Sequence, residues 1–210
     1  MITQKMKIWS RSAGMTLLTL LLAAGPCLAG ETYNMVKSNS RVILHGTSSL
    51  HDWEMRLESM LCTLSFEEEG NRFTGIESIR FTGNAASLSS DRKLMDKKAH
   101  EALRTDEYPE IVFSYLSQAE FFPNGNRFKG TVIGRLTLAG NSRNISVPFQ
   151  GIFLENGQIK VEGEVSLNMT DFGIDPPTAL MGTLKTGDTI RSEFTFFFER
   201  RNQKITASKE

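Results

Sequence analysis

Along most of this chain apolar and polar residues alternate with a period of two. Trp53, Met55 and Leu57, with His51 ahead of them, alternate with Asp52, Glu54 and Arg56. Cys62, Leu64 and Phe66 alternate with Thr63 and Ser65. Phe128, Val132, Leu136 and Leu138 share one parity against Lys129, Thr131, Arg135 and Thr137. Ile145, Val147, Phe149 and Phe153 form a further run, as do Ile159, Val161, Val165, Leu167 and Met169. Ile190, Phe194, Phe196 and Phe198 form the last. Side chains on a strand point to opposite faces in turn, so each run can bury one face and wet the other, as antiparallel strands do. Glu69-Gly70-Asn71, Asn124-Gly125-Asn126, Ala139-Gly140-Asn141 and Glu155-Asn156-Gly157 supply hairpin turns between runs. Eight or more strands at short spacing predict a sandwich or a barrel, between which periodicity does not choose.

One segment departs from this rhythm. From Asp91 to Arg104 the apolar positions are Leu94, Met95, Ala99, Ala102 and Leu103, which is helical spacing. Ser89, Ser90 or Asp91 is expected to cap the start, and Tyr108-Pro109 to close the segment. A single short helix is expected to lie over one end or side of the β domain.

The N-terminus carries a different signal. Lys5, Lys7 and Arg11 precede the apolar run Leu17 to Ala24, and Cys27-Leu28-Ala29 places small residues at a cleavage site. Residues 1–29 therefore read as a signal peptide cleaved near Ala29, which implies a periplasmic or secreted protein. The run is short for a membrane span, so no integral span is expected in the mature chain. The whole chain balances 24 Lys+Arg against 24 Asp+Glu. Without residues 1–29 it holds 21 basic and 24 acidic residues, a net of −3. That leaves no basic footprint for nucleic acid and no polybasic stretch for anionic lipid. Residues 31–200 read as one domain and 201–210 as a polar tail. Cys62 is the single cysteine left after cleavage, so no internal disulfide can form; it reads as a small buried hydrophobe.

Glycines recur on the apolar face. Gly130 and Gly134 share parity with Phe128 and Val132, Gly151 lies between Phe149 and Phe153, and Gly163 between Val161 and Val165. Such glycines either mark bulges and barrel corners or leave open volume in the interior.

Catalytic and metal-binding constellations are sparse. His45 and His51 flank a turn and could approach each other, but nothing in the spacing supplies the three or four ligands of a metal site. Ser48, Ser49, His51 and Asp52 are close in sequence, yet adjacent strand residues face opposite ways, so Asp52 is poorly placed to orient His51. Gly182 to Gly187 lacks the Lys-Ser/Thr of a phosphate loop. No catalytic residue, metal or cofactor is assigned.

Several segments resemble the YceI-like family of exported bacterial proteins. They are His45-Gly46-Thr47-Ser48-Ser49-Leu50-His51-Asp52-Trp53, Asp96 to Leu103 with Tyr108-Pro109-Glu110-Ile111-Val112-Phe113, Gly134 to Gly140 with Val147-Pro148-Phe149, and Met169-Thr170-Asp171-Phe172-Gly173-Ile174. The resemblance implies an extended, lipocalin-like antiparallel barrel that holds a polyisoprenoid or another long-chain lipid. The expected fold is thus all-β, a barrel of about eight strands with one short helix. The expected activity is binding as carrier or reservoir, not catalysis. The alternative is an interaction or stress-response module with a filled barrel, in which Asp171 to Thr183 serves as lid or partner surface. The candidate lining residues are Trp53, Met55, Leu64, Phe113, Phe128, Val132, Gly134, Phe149, Phe153, Phe194 and Phe196. By parity Arg56, Arg135 and Arg191 point outward.

Overall fold

A computed structural model describes residues 31–69, 72–179 and 183–201. The segment read as a signal peptide and most of the polar tail lie outside the described residues, as do Gly70 and Asn71 of one predicted turn. In chain order the elements are β1 (Thr32–Met35), β2 (Arg41–Ser48), β3 (Trp53–Leu57), β4 (Met60–Glu69), β5 (Arg72–Asn84), β6 (Leu88–Ser89), α1 (Lys93–Leu103), β7 (Glu110–Asn124), β8 (Arg127–Leu138), β9 (Asn141–Phe153), β10 (Ile159–Asn168), β11 (Thr178–Ala179) and β12 (Leu184–Arg200).

Eight strands close on themselves in the order β1-β4-β5-β7-β8-β9-β10-β12 and back to β1, every pairing antiparallel. Among the described residues the protein is therefore an all-β, lipocalin-like barrel with one short helix. Closure removes free sheet edges. β12 is long enough to serve two neighbours, β1 and β2, along the edge opposite β10. Its last residues pair with β1 (Met35 with Phe198), and its first half pairs with β2 (Phe194 with Val42). A turn at Lys37–Asn39 separates β1 from β2. There Ser40 repairs the ladder: its hydroxyl donates to Val36 O at 2.8 Å and accepts from Phe197 N–H at 3.0 Å. Beyond β2, strands β3 and β6 extend the wall at one end.

The two ends differ. The β4–β5, β7–β8 and β9–β10 hairpins turn at one end. The other end carries the β2–β3 turn, the β8–β9 turn, α1, and the connection from β10 to β12. The β8–β9 turn is a two-residue loop in which both Ala139 (φ 47°) and Gly140 (φ 80°) are left-handed, the twist that suits a tight hairpin.

Two details depart from the sequence expectation. The helix N-cap is Arg92, with no side-chain cap bond, so Ser89, Ser90 and Asp91 do not fill that position. Ser90 instead donates through its N–H and hydroxyl to Asp96 Oδ1, at 2.7 and 2.6 Å, which ties the entry to the first turn from the other side. β2 and β5 also carry no clean alternation. In β5 the cause is visible: the register against β4 shifts between Ser65 and Phe66 and again between Glu67 and Glu68. A bulge flips facing parity, so Ser65 and Phe66 are both buried in succession. β5 and β7 pair only from Arg80 to Asn84. Further along, Gln118 Oε1 accepts Ile76 N–H at 2.7 Å and satisfies the backbone where the ladder has stopped.

Candidate ligand-binding site

The barrel interior is packed at one end and open at the other. At the hairpin end Phe66 is fully buried and touches four rings: Tyr33, Phe73, Phe128 and Phe153, with centroids 5.0–5.8 Å apart. Phe73 and Phe153 stack at 4.5 Å, and Phe121 stacks on Phe128 at 5.7 Å. Offset and edge-to-face contacts of this kind favour a rigid plug. Above it lies a cavity of about 480 Å³, walled almost wholly by aliphatic and aromatic side chains. That is within the size range of small-molecule pockets.

Nine of the eleven candidate residues line this cavity: Trp53 and Met55 on β3, Leu64 on β4, Phe113 on β7, Phe128 and Val132 on β8, Phe149 on β9, and Phe194 and Phe196 on β12. Phe153 does not. It faces inward, as its parity predicts, but sits in the plug below the cavity floor. Gly134 does not line it either. A Cβ built there would collide with the Phe113 ring, so the space beside Gly134 is occupied, not open.

The other inner-face glycines follow the same rule. The Phe128 ring covers Gly151, its registered partner on β9. Phe194 covers Gly163, its partner on β10, and Trp53 covers Gly46, its partner on β2. The reading of these glycines as direct voids is corrected. Each is a seat for a ring from the neighbouring strand, the pairing by which aromatics compensate glycine in sheets. The Phe113, Phe194 and Trp53 rings lie along the wall, where the lumen beside them stays open, whereas Phe128 rests on the plug rings Phe66, Phe121 and Phe153. Phe81 and Phe196 stack across that lumen at 5.8 Å and narrow it.

The mouth is where polarity appears. Among the lining residues every ionised side chain is basic: Arg92 at the N-cap of α1, Lys98 on α1 and Lys185 on β12. His51 joins them from the β2–β3 turn, outside β3, where the alternation had placed it at the head of the strand. Its Nδ1–H donates to Asp52 O at 2.9 Å, leaving Nε2 to accept from Arg92 Nη1. Trp53 Nε1–H donates to Thr47 O at 3.0 Å, so the ring presents only carbon to the cavity. Lys98 Nζ lies 2.9 Å from Glu101 on the next turn of α1. None of these three cations was legible as a site residue in the sequence, because they converge only in three dimensions. The outward arginines are indeed outside: Arg56 meets Glu54, and Arg191 meets Glu164 and Glu193.

α1 covers part of the mouth with Met95, Ala99, Ala102 and Leu103, and none of its residues is fully buried. An amphipathic helix lying over packed core would bury its apolar stripe; this one lies over a cavity. Its C-terminal half is moored at two points. His100 Nε2–H donates to Leu88 O at 2.8 Å, and Arg104, itself left-handed at the C-cap, donates to Ala139 O at 2.7 Å. The segment after β10 is no free lid in its first half, since Phe172 and Ile174 are buried; residues 180–182 lie outside the described residues.

Cys62 lines the cavity wall and is buried, and burial pushes its thiol up to about 12. The histidines occupy separate places: His45 on the outer face near Glu54 and Glu193, His51 at the mouth, His100 on α1. Among the described residues no cluster of three or more His, Cys, Asp or Glu could hold a metal ion. No helix among them is long and apolar enough to cross a membrane.

These features define a class: a closed antiparallel barrel, plugged at one end, with an apolar lumen and one polar-rimmed mouth. The chain belongs to the YceI-like domain family, whose model matches residues 33–198. Solved structures share the fold. BcnA of Burkholderia cenocepacia is 16% identical, with a TM-score of 0.60 over 78% of this chain and 98% of that one. A polyisoprenoid binding domain from Saccharophagus degradans, implicated in plant cell wall breakdown, is 13% identical, with a TM-score of 0.61 over 80% and 98%. The YCEI protein of Campylobacter jejuni is 15% identical, with a TM-score of 0.54 over 71% and 85%. No curated protein sequence matches this one.

Proposed function

We propose that this protein holds one long apolar chain, a polyisoprenoid or another long-chain lipid, inside its barrel as an exported carrier or reservoir. The observation that carries the reading is the blind apolar cavity, plugged by aromatic rings at one end and opening beside Arg92, Lys98 and Lys185. Transfer of apolar surface out of water favours occupancy by about 25 cal/mol per Å² buried. A ligand's apolar length then lies in the lumen and its polar end at the mouth. The Saccharophagus degradans relative, described as polyisoprenoid binding, supports the ligand class. The signal-peptide pattern of residues 1–29 supports export to the periplasm or medium.

The lining offers one histidine and no carboxylate, a poor set for acid–base or nucleophilic chemistry, so binding without catalysis is the reading we adopt. The open lumen favours it over a filled-barrel interaction module. The test is displacement of a fluorescent apolar probe from purified protein by a long-chain prenyl alcohol. Saturable displacement is expected; no probe uptake and no prenol binding would overturn the reading. Export is tested separately by cell fractionation and N-terminal sequencing of the mature chain.

A further inference from the structure

We infer that the aromatic plug is a ruler that sets the length of chain this barrel takes. The inference rests on the lipid-holding reading above and goes beyond it by naming what fixes the ligand's length. Phe128 is the pivotal residue. One side of its ring lines the cavity, and the other packs on Phe66, Phe121 and Phe153, none of which reaches the cavity. The lumen therefore ends at Phe128, although the barrel continues past it to the hairpin turns.

The depth above this floor follows from the strand. Phe128 and Leu138 both line the cavity and are the first and last of its lining residues on β8. They are 10 residues apart on one strand. At about 3.3 Å per residue and a strand tilt of about 40°, that span is roughly 25 Å along the barrel axis. An extended polypeptide advances about 3.3–3.6 Å per three backbone bonds, so a stretched carbon chain advances roughly 1.2 Å per bond. The channel thus accepts about 20 main-chain bonds, or about five isoprene units at four main-chain carbons each, before the chain meets the Phe128 ring. Longer chains would leave their surplus in water at the mouth and gain nothing from it.

The plug is built to resist being pushed aside. Phe66 has rings on four sides, and the Phe73–Phe153 stack closes the floor from β5 and β9 together. Displacing one ring means breaking contacts from several strands. Val132, one inward position up β8 from Gly130 and two from Phe128, is buried and lines the lumen immediately above the floor. It is the position from which the floor can be raised.

The test is the affinity of the full chain for geraniol, farnesol, geranylgeraniol, hexaprenol and octaprenol, measured by probe displacement. For the natural sequence affinity should climb on the order of tenfold or more per unit while each unit is being buried, then level off once about five units are buried, so that octaprenol binds no more tightly than hexaprenol. Phe128→Ala should carry the climb further, so that octaprenol binds more tightly than hexaprenol. Val132→Phe fills instead of emptying, so it covers the case in which Phe128→Ala fails to fold; it should stop the climb at farnesol or below. An affinity that keeps climbing to octaprenol in the natural sequence would overturn the ruler, as would a Val132→Phe variant with the natural length profile. Failure of every prenol to bind would overturn the lipid-holding reading itself.

Discussion

The ring of Phe194 on β12 lies over the α-carbon of Gly163, its registered partner on β10, and a Cβ at Gly163 would stand within 2.6 Å of the ring's outermost carbon while colliding with Pro148 O. Glycine here is a seat for a ring, not an empty position. Phe128 over Gly151 repeats the arrangement, and Phe113 covers Gly134 from the diagonal position, its own registered partner being Leu136. Gly163→Ala should therefore push the ring toward the lumen and cost about 1–3 kcal/mol, as overpacking does. Urea denaturation measures the loss. Gly134→Leu should both destabilise the barrel and weaken apolar-probe binding, because the displaced Phe113 ring must occupy the lumen. An unchanged midpoint would contradict the packing described.

α1 should behave as a lightly held cover. With no fully buried residue and two mooring bonds through His100 and Arg104, its amides should exchange with deuterium well before those of β8 and β9. Lipid occupancy should slow them. Ala99→Glu, which puts a charge on the face toward the cavity, should reduce apolar-probe binding about tenfold or more by burying an unpaired charge while shifting the urea midpoint little.

Cys62 offers a built-in reporter of the interior. Burial pushes its thiol up to about 12, so almost none is thiolate at pH 8 and alkylation is slow. Native protein treated with iodoacetamide at pH 8 should stay unmodified for hours and react within minutes in urea. Because desolvation is the cause, raising the pH toward that value should accelerate native labelling.

Asp188 anchors the turn after β10. Thr170 donates to it through its N–H at 2.9 Å and its hydroxyl at 2.6 Å, and these bonds hold the carboxyl below its usual range. The carboxylate therefore stabilises the fold at neutral pH. That contribution persists down to the ordinary carboxylate range and disappears as pH falls through the lowered folded value. Asp188→Asn should be less stable than the natural sequence at pH 7, and the difference should shrink in acid. Paired denaturation curves at the two pH values check this.

Parity along a strand tells inside from outside, and it did so for β3, β8 and β10, where alternation is unbroken. Depth along the barrel axis is not encoded in parity. Phe153 and Phe149 share a face, yet only Phe149 reaches the cavity, because the position of the floor depends on rings from β4, β5 and β8. The partners of Gly134, Gly151 and Gly163 depend on register between strands, which one strand's pattern does not carry. β5 escaped notice because bulges flip its parity against β4. Arg92, Lys98 and Lys185 escaped because each sits in an unremarkable local context, and only closure of the barrel brings them to one rim.

The proposed function turns on occupancy of the lumen by a long apolar ligand. Native mass spectrometry of the protein purified from its own host, followed by solvent extraction and lipid identification, reads that occupancy. An added mass near one lipid per protein, which extraction resolves into an isoprenoid or other long-chain lipid, is the expected result. A bare protein mass that gains nothing after incubation with geranylgeraniol would contradict it.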